Sequence, residues 1–192
     1  MEGRRWTKTR TFQSKRGFKV SRSLTVDLLK KFPNKYFVET GTNYGGGVQV
    51  ASYAGFSNIY SIEFDEELYT AIAKRYSEES NIHLYLGDSG KALGPLLEGL
   101  DGPSTIFLDA HGVHYNPLIF ELAAIKNTNR LDNTILVDDR RVMGMVGTCW
   151  ENISEEFIIH FLKYINPNYK IFYEDTTNAA KDLIVAQPNT NL

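Results

Sequence analysis

The sequence contains a single cysteine, Cys149, among its 192 residues. One thiol excludes a disulfide framework within the chain and a zinc site made of cysteines. Long apolar runs are also missing, because no stretch approaches the roughly 20 residues that a membrane-spanning helix needs, and the N-terminal residues lack the apolar centre of a signal peptide. We therefore expect a cytoplasmic protein that does not interact with membranes.

The formal net charge is only -2, but the charges are unevenly distributed. Residues 1–24 carry eight Lys or Arg and one acid, Glu2, whereas the rest of the chain carries 13 bases and 22 acids. Such an arm can attract nucleic acid or an anionic substrate, or dock on the acidic body of its own chain; we favour a solvated or docked arm. Length and composition predict a basic arm over residues 1–24 and one globular domain over residues 25–192.

Short β-rich runs alternate with helical patterns beyond the arm, an order typical of parallel βαβ units. The predicted strands are 36–40, 59–64, 82–86, 105–109, 134–138, 170–174 and 183–187. Only eight residues separate the last two strands, too few for a parallel crossover, so we expect an antiparallel hairpin there. The pattern predicts an α/β fold with a Rossmann-like, doubly wound and mostly parallel seven-stranded sheet that ends in an antiparallel hairpin.

Three of the connecting segments begin with a recognisable helix N-cap: Asp65, Asn116 followed by Pro117, and Ser154. A short polar side chain at this position accepts a hydrogen bond from a free backbone N–H of the first turn. Apolar residues then recur every three or four positions, which predicts helix faces that pack in the core. These faces are Leu68, Ile72 and Tyr76; Leu118, Leu122 and Ile125; and Phe157, Ile158, Phe161, Leu162 and Ile165.

The first predicted strand runs directly into a glycine-rich segment, Glu39-Thr40-Gly41-Thr42-Asn43-Tyr44-Gly45-Gly46-Gly47, after which a short helix begins. Glycines at such a turn let the backbone approach a ligand and adopt positive φ, and the helix N-terminus offers free N–H groups. The dinucleotide pattern GxGxxG is not met because position 43 is Asn, although Asn tolerates the left-handed conformation. The P-loop pattern fails too, since no Gly-Lys-Ser/Thr follows.

Acidic residues stand at the ends of the next two strands, where α/β sheets bind their ligands. Glu63 lies at the tip of the second strand. An acid about 20 residues after a glycine-rich turn is the usual acceptor for two ribose hydroxyls. An acid at a strand end can also be an ordinary surface residue. After the third strand, Asp88 precedes Ser89. Asp88 can accept a hydrogen bond from an adenine amino group or cap the helix that follows.

These segments, together with Phe107-Leu108-Asp109-Ala110-His111, occur in the order and strand context of the motifs of class I S-adenosylmethionine-dependent methyltransferases. The sequence resembles that family over about residues 35–188, including the terminal hairpin, which dinucleotide dehydrogenases lack. The resemblance implies that Glu39 and Gly41 approach the methionine end of S-adenosylmethionine, Glu63 its ribose and Asp88 its adenine. The full set of cofactor-binding residues that it implies is Glu39, Gly41, Thr42, Asn43, Gly45, Glu63, Asp88, Ser89 and Asp109.

Three carboxylates follow the fourth and fifth strands: Asp109, Asp138 and Asp139. If these strands are neighbours, the carboxylates converge and repel one another unless they are protonated or bind a cation, and oxygen ligands suit Mg²⁺. The arrangement resembles, more loosely, the metal-dependent O-methyltransferases that act on catechols and sugar hydroxyls. Asp138 and Asp139 can instead cap a helix or pair with the adjacent Arg140 and Arg141.

His111 follows the same strand end as Asp109, at the mouth of the expected site. A histidine there can take the proton from an attacking hydroxyl at neutral pH. His111 and Asp109 are therefore the predicted catalytic residues, although His111 can also be a structural hydrogen-bond donor or a metal ligand.

We expect methyl transfer from S-adenosylmethionine to a hydroxyl of a small-molecule acceptor. Two alternatives stand beside this reading. One is a nucleic-acid or protein methyltransferase that uses the basic arm, which the missing Asn/Asp-Pro-Pro-Tyr/Phe motif argues against. The other is a cofactor-binding module without catalysis.

Overall fold

The computed structural model describes residues 23–189 of the chain. The helices are α1 (Val26–Leu29), α2 (Gly46–Ala54), α3 (Glu66–Arg75), α4 (Ser89–Glu98), α5 (Leu118–Asn127) and α6 (Glu155–Ile165), with a 3₁₀ turn at Arg140–Val142. The strands are β1 (Tyr36–Thr40), β2 (Ile59–Glu63), β3 (Ile82–Leu86), β4 (Ser104–Leu108), β5 (Thr134–Val137), β6 (Lys170–Glu174) and β7 (Leu183–Gln187). Apart from Ser23 and Leu24, the predicted basic arm lies outside the described residues.

One seven-stranded sheet forms the centre of the domain, in the strand order β3-β2-β1-β4-β5-β7-β6. Strands β1 to β5 pair in parallel, whereas β7 is antiparallel to both β5 and β6. The predicted fold is therefore confirmed, including the terminal hairpin. Because β7 runs against β5, the residue that precedes β7 lies at the same edge of the sheet as the carboxyl end of β5.

Three strands differ from the prediction, at four boundaries and by one residue at each. Strand β2 ends at Glu63, since Phe64 has left the sheet and is 74% exposed. Strand β4 begins and ends one residue earlier than predicted, and β5 ends at Val137. As a result, Asp109 and Asp138 are the first residues of the loops that follow these two strands.

Asp65 and Ser154 are the N-caps of α3 and α6 as predicted, whereas Pro117 occupies the cap position of α5 and Asn116 stands one residue before it. Side-chain oxygens of Asp65, Asn116 and Ser154 accept hydrogen bonds from the backbone N–H groups of Leu68, Leu118 and Phe157 at 2.9, 3.0 and 3.2 Å. Each of these hydrogen bonds satisfies a donor that the first turn of a helix otherwise leaves free.

One predicted core position of α6 is wrong. Ile158, Leu162 and Ile165 are buried as expected, but Phe157 is 45% exposed. The apolar stripe is wider than the strip of helix that faces the sheet, so Phe157 lies at its flank and packs edge to face on Phe161, with ring centroids 5.9 Å apart.

A short helix that the sequence analysis did not predict, α1, precedes the first strand. Thr25 caps it by accepting a hydrogen bond from the Leu28 N–H at 3.1 Å. Leu28, Leu29 and Phe32 are buried in the core on the α2 side of the sheet. Leu24, the last residue of the predicted arm, is buried in the same cluster.

Two apolar clusters sandwich the sheet. The larger one joins the inner faces of α4, α5 and α6 to the sheet, through residues such as Leu93, Leu122 and Leu162. The other joins α1 and α2 to the opposite face. No helix within residues 23–189 is long and apolar enough to span a membrane.

Candidate functional site

A cleft of about 860 Å³ lies along the carboxyl ends of strands β1 to β5. Ligands of open α/β sheets bind at this edge. Most predicted site residues line the cleft: Glu39, Gly41, Thr42, Asn43, Glu63, Asp88, Ser89, Asp109, His111 and Asp139. Gly45 and Asp138 belong to the same loops but are not among its lining residues.

The loop between β1 and α2 contains three residues with positive φ: Gly41 at 82°, Asn43 at 49° and Gly45 at 76°. Asn43 therefore takes the left-handed conformation that a glycine would otherwise supply. A Cβ at Gly41 would lie 3.0 Å from the Ala110 Cα and from the Asp109 carbonyl oxygen. The loop after β1 thus touches the loop after β4, and glycine leaves the room for that contact.

Glu39, in β1, presents a buried carboxyl to the cleft. Its Oε2 accepts a hydrogen bond from the Ser61 hydroxyl at 2.8 Å, and its Oε1 lies only 1.6 Å from where a Cβ of Gly47 would stand. Burial raises the pKa of Glu39 to about 8, the Ser61 hydrogen bond opposes this shift, and the nearby Glu63 adds to it. A cationic ligand in the cleft would favour the ionised form of this carboxyl.

Glu63, at the end of β2, holds the glycine-rich loop. Its Oε2 accepts a hydrogen bond from the Asn43 N–H at 2.6 Å, and its Oε1 accepts one from the Asp65 N–H at 2.9 Å. Each carboxylate oxygen can accept a second hydrogen bond, and Glu63 also lines the cleft. The same side chain can therefore order the loop and receive ligand hydroxyls.

Asp88 caps α4, which is the second of the two roles open to it from the sequence. Its Oδ1 accepts hydrogen bonds from the Gly90 N–H at 3.0 Å and from the Tyr115 hydroxyl at 3.2 Å. Ser89, buried beside it, is the first residue of α4. Because Asp88 also lines the cleft, capping and ligand binding are compatible.

Asp109 and Asp138 form a pair of neighbouring carboxyls after β4 and β5. Burial raises the pKa of Asp109 well above its usual range, and the charges of Asp138, Asp139 and Glu39 raise it further. Burial also raises the pKa of Asp138 to about 6. Neither oxygen of Asp138 accepts a well-formed hydrogen bond from residues 23–189, although the Ser23 hydroxyl faces this carboxyl and opposes the shift. The pair is therefore suited to sharing a proton or a cation.

His111 and Asp139 meet at the mouth of the cleft. The His111 Nε2 lies 3.1 Å from the Asp139 Oδ2, and the Arg141 guanidinium lies 2.8 Å from the Asp139 Oδ1. The hydrogen bond to Asp139 raises the pKa of His111 against the opposing effect of burial. Burial would raise the pKa of Asp139, but His111 and Arg141 outweigh it, so that pKa lies below its ordinary value. The Trp150 ring lies edge-on to His111, with centroids 5.7 Å apart.

In the part of the chain that the structure describes, two groups of side chains place possible metal-ligating atoms within 4.8 Å of one another: Asp109, His111 and Asp139, and Asp138, Asp139 and Asp182. The second group already holds a cationic side chain, since Arg141 contacts both Asp139 and Asp182. The first group opens on the cleft. Of the three carboxylates singled out from the sequence, Asp109 and Asp139 therefore share this group with His111.

Glu121, a fully buried acid in α5, was not predicted from the sequence. Burial raises its pKa to about 7; the hydroxyls of Ser89 and Thr40 face the carboxyl and oppose this shift, but neither makes a well-formed hydrogen bond with it. A signal was present, because Glu121 stands three residues after Leu118 and directly before Leu122, on the apolar face of the helix.

Arg141 and Asp182 were also missed as a pair. Asp182 immediately precedes β7, and strand starts are ordinarily far from a ligand cleft in a parallel sheet. Because β7 is antiparallel, its start lies at the carboxyl edge instead. An antiparallel β7 was predicted from the sequence. It already implies that the residue before β7, Asp182, lies at the carboxyl edge of the sheet, where the site is.

No protein-family model and no curated protein matches the sequence. Solved structures do match. A protein assigned as a caffeoyl-CoA O-methyltransferase from Staphylococcus aureus superposes with a TM-score of 0.57 at 16% identity, over 85% of this chain and 82% of that one. An S-adenosylmethionine-dependent methyltransferase from Aquifex aeolicus gives 0.51 at 16% identity, over 83% and 86%.

Human N-acetylserotonin methyltransferase, solved in complex with S-adenosylmethionine, gives a TM-score of 0.54 at 16% identity; the match covers 82% of this chain and 48% of the human one. This chain therefore corresponds to about half of the human protein. At such identities the likeness establishes the fold. The chain has the fold of the class I S-adenosylmethionine-dependent methyltransferases.

Proposed function

We propose that the protein binds S-adenosylmethionine and transfers its methyl group to a hydroxyl of a small molecule. The observation that carries this proposal is the cleft, which unites a positive-φ glycine-rich loop, Glu63 at the end of β2 and the His111–Asp139 pair in one space.

The cofactor side of the cleft suits an adenosyl sulfonium. Glu63 offers acceptors for ribose hydroxyls and Asp88 one for an adenine amino group. Glu39 and Asp109 are carboxyls with raised pKa values, so a ligand that carries positive charge stabilises their ionised forms. S-adenosylmethionine supplies an electrophilic methyl group on its sulfonium.

The acceptor side offers a proton acceptor. Asp139 and the Gly112 carbonyl both favour the protonated form of His111, which a base needs once it has taken the proton of a hydroxyl. Positioning of the acceptor against the methyl group supplies most of the remaining rate enhancement. The lining residues Tyr44, Tyr115 and Trp150 give the cleft aromatic walls, and of these Trp150 lies edge-on to His111.

A divalent cation is the second way to activate the hydroxyl. The donor atoms of Asp109, His111 and Asp139 are close enough to share an ion, and the oxygens of Asp138 beside them accept no well-formed hydrogen bond from residues 23–189. The residues therefore fit Mg²⁺, and the imidazole also suits Mn²⁺ or Fe²⁺. Such an ion would lower the pKa of a bound hydroxyl. An ion on His111 would prevent it from acting as a base, so the two routes exclude each other.

Ligand-induced stabilisation tests the cofactor. S-adenosylhomocysteine at a hundredfold excess over Kd should stabilise the native state by ~2.7 kcal/mol, because it binds only the folded form, and NAD should give no shift. Absence of any shift or calorimetric signal with S-adenosylhomocysteine would overturn the proposal.

Turnover separates an enzyme from a non-catalytic module. Conversion of S-adenosylmethionine to S-adenosylhomocysteine should rise on addition of a catechol or sugar acceptor. If the metal route operates, chelation abolishes transfer while cofactor binding persists, Mg²⁺ restores it, and Asp138→Asn weakens the response to the ion. Activity that survives exhaustive chelation assigns the proton transfer to His111. No turnover with any acceptor, nucleic acid and protein included, would leave only cofactor binding.

A further inference from the structure

Asp139 holds a strained backbone conformation at the mouth of the cleft. Its φ of 62° lies in the left-handed region, which residues other than glycine adopt at a cost and usually only where the surrounding structure enforces it. The residue stands between β5 and the 3₁₀ turn at Arg140–Val142.

The structure that enforces this conformation comes from the β6–β7 hairpin. The Arg140 N–H donates to the Asp182 carbonyl at 3.0 Å, and the Arg141 N–H donates to the Asp182 Oδ1 at 2.9 Å. The Thr176 hydroxyl donates to the Asp182 Oδ2 at 3.2 Å. Asp182 is buried, so one fixed side chain ties the turn after β5 to the start of β7.

The Arg141 side chain extends this anchor into the cleft. The same nitrogen, Nη1, contacts both the Asp182 Oδ2 and the Asp139 Oδ1. Asp139 therefore commits one oxygen to Arg141 and presents the other to His111 at 3.1 Å. A continuous chain of polar contacts runs from β7 through Asp182, Arg141 and Asp139 to His111.

The neighbouring arginine shows that this arrangement is specific to position 141. Arg140 pairs with Glu155 of α6 at 2.8 Å and stacks on the Tyr173 ring at 4.5 Å, and it does not line the cleft, whereas Arg141 does. Two adjacent residues of the same type thus have different partners, one on the surface of the hairpin and one at the acceptor end of the cleft.

We infer that Arg141, anchored by Asp182, is a positioning residue that fixes the orientation of the His111–Asp139 pair toward the acceptor. This role rests on the proposed methyl transfer. The same role links the antiparallel hairpin to the chemistry of the acceptor, since Asp182 is the last residue of the loop that joins β6 to β7. Arg141 acts through Asp139 and needs no contact with the reacting atoms.

The test compares Arg141→Met with Arg141→Lys, and uses Arg140→Met as the matched control. In the native protein one nitrogen of Arg141, Nη1, contacts both Asp139 and Asp182. A lysine also carries one nitrogen, with three N–H donors, and can therefore make both contacts. The first readout is the set of nuclear Overhauser contacts between the His111 and Trp150 rings, which lie edge to face with centroids 5.7 Å apart, together with the fluorescence of Trp150 in a Trp6→Phe background. These signals report the placement of the ring without any acceptor.

Arg141→Met should weaken or lose the Overhauser contacts between the His111 and Trp150 rings and change the Trp150 emission. Arg141→Lys should restore much of both signals, and Arg140→Met should leave them as in the native protein. Native-like signals in Arg141→Met would overturn the inference. If Arg141→Met does not fold, Asp182→Asn replaces it in the test and should change the same signals. This variant keeps an acceptor for the Arg141 N–H and weakens the ionic contact with the Arg141 side chain.

The second readout is methyl transfer to catechol together with calorimetry of S-adenosylhomocysteine. Arg141→Met should lower kcat by about 10-fold to 100-fold, the size expected when a reacting group is misplaced, and should leave cofactor affinity unchanged. A kcat equal to that of Arg140→Met would contradict the inference. Failure of the native protein to bind S-adenosylhomocysteine would instead refute the proposed function, and the ring signals would still decide the role of Arg141.

Discussion

A single pair of residues, Glu39 and Gly47, shows how closely the cofactor end of the cleft is built. The Glu39 carboxyl fills the space above Gly47 that any larger residue would need. It is also held by Ser61, which in turn contacts the Thr42 hydroxyl at 2.6 Å. The glycine at position 47 is therefore required by a neighbouring side chain, and not by its own backbone angles.

Gly47→Ala should consequently displace Glu39. We expect a loss of about 1–3 kcal/mol in the free energy of unfolding, the usual cost of overpacking, and weaker S-adenosylhomocysteine binding by calorimetry. Gly99→Ala is the control, because its φ of -74° suits any residue and its Cβ would come no closer than 3.4 Å to its nearest neighbour, the Leu96 carbonyl oxygen. Equal stability of the two variants would contradict this account of Gly47.

Glu63→Ala should weaken the binding of S-adenosylhomocysteine by about 1–3 kcal/mol, because the ligand hydroxyls and the Asn43 N–H lose a hydrogen-bond acceptor. Glu66→Ala removes the same charge from the exposed first turn of α3 and should bind as the native protein does. Calorimetry of both variants decides the point, and an unchanged affinity in Glu63→Ala would remove this residue from the site.

At the residue scale, the sequence predicted what depends on local chemistry. The positive φ of Asn43 and the caps at Asp65 and Ser154 follow from the tolerance and hydrogen bonding of single side chains. Glu121 and Asp182 were missed because their surroundings come from distant elements. Burial of Glu121 depends on α5 packing over Thr40 and Ser89, and neither partner is near it in the chain.

At the element scale, short β-rich runs predicted all seven strands. The central strands β4 and β5 are nearly continuous apolar runs, since strands covered by helices on both faces need no alternation. Helix α1 was missed because its four residues are too few to show a helical period. Its contribution is nevertheless substantial, because Leu29 and Phe32 complete the apolar cluster on the α2 side of the sheet.

Leu29→Ala should cost about 2–5 kcal/mol of stability, as large-to-small substitutions in a packed core do. Deleting residues 1–20 should leave a cooperative thermal transition, because the seven strands and the two apolar clusters described above are built from residues 24–187. Thermal and denaturant unfolding of both proteins tests this contrast. A non-cooperative transition after the deletion would show that the arm contributes to the core.

At the scale of the whole molecule, residues 23–189 include several buried carboxyls whose pKa values are raised by burial. The pKa values of Glu39, Glu121 and Asp138 are raised to about 8, 7 and 6. Each of these groups binds a proton more tightly in the folded state than in the unfolded state. Their stabilising effect is therefore complete below about pH 4 and is lost as the pH rises through the folded values.

The free energy of unfolding should accordingly fall between about pH 5 and pH 8. Glu121→Gln should reduce this slope and make the protein more stable than the native form at pH 8, by up to about 3 kcal/mol for a shift of this size. The slope should persist in part, because Glu39 and Asp138 remain. Glu98→Gln, at the exposed end of α4, is the control. Identical pH profiles for the two variants would show that Glu121 does not titrate in this range.

The contact between Gly41 and the backbone of Ala110 and Asp109 has a consequence for how such a protein can acquire new acceptors. It joins the two loops that carry the proposed cofactor and catalytic residues, and neither can be reshaped without the other. The segment from Met143 to Thr148 hydrogen-bonds to nearby positions in the chain, such as Arg140 and Trp150, and its Met145 and Val146 side chains are exposed. Directed evolution confined to this segment should therefore change which acceptors are used while cofactor affinity is retained, whereas libraries at position 41 should yield few folded clones.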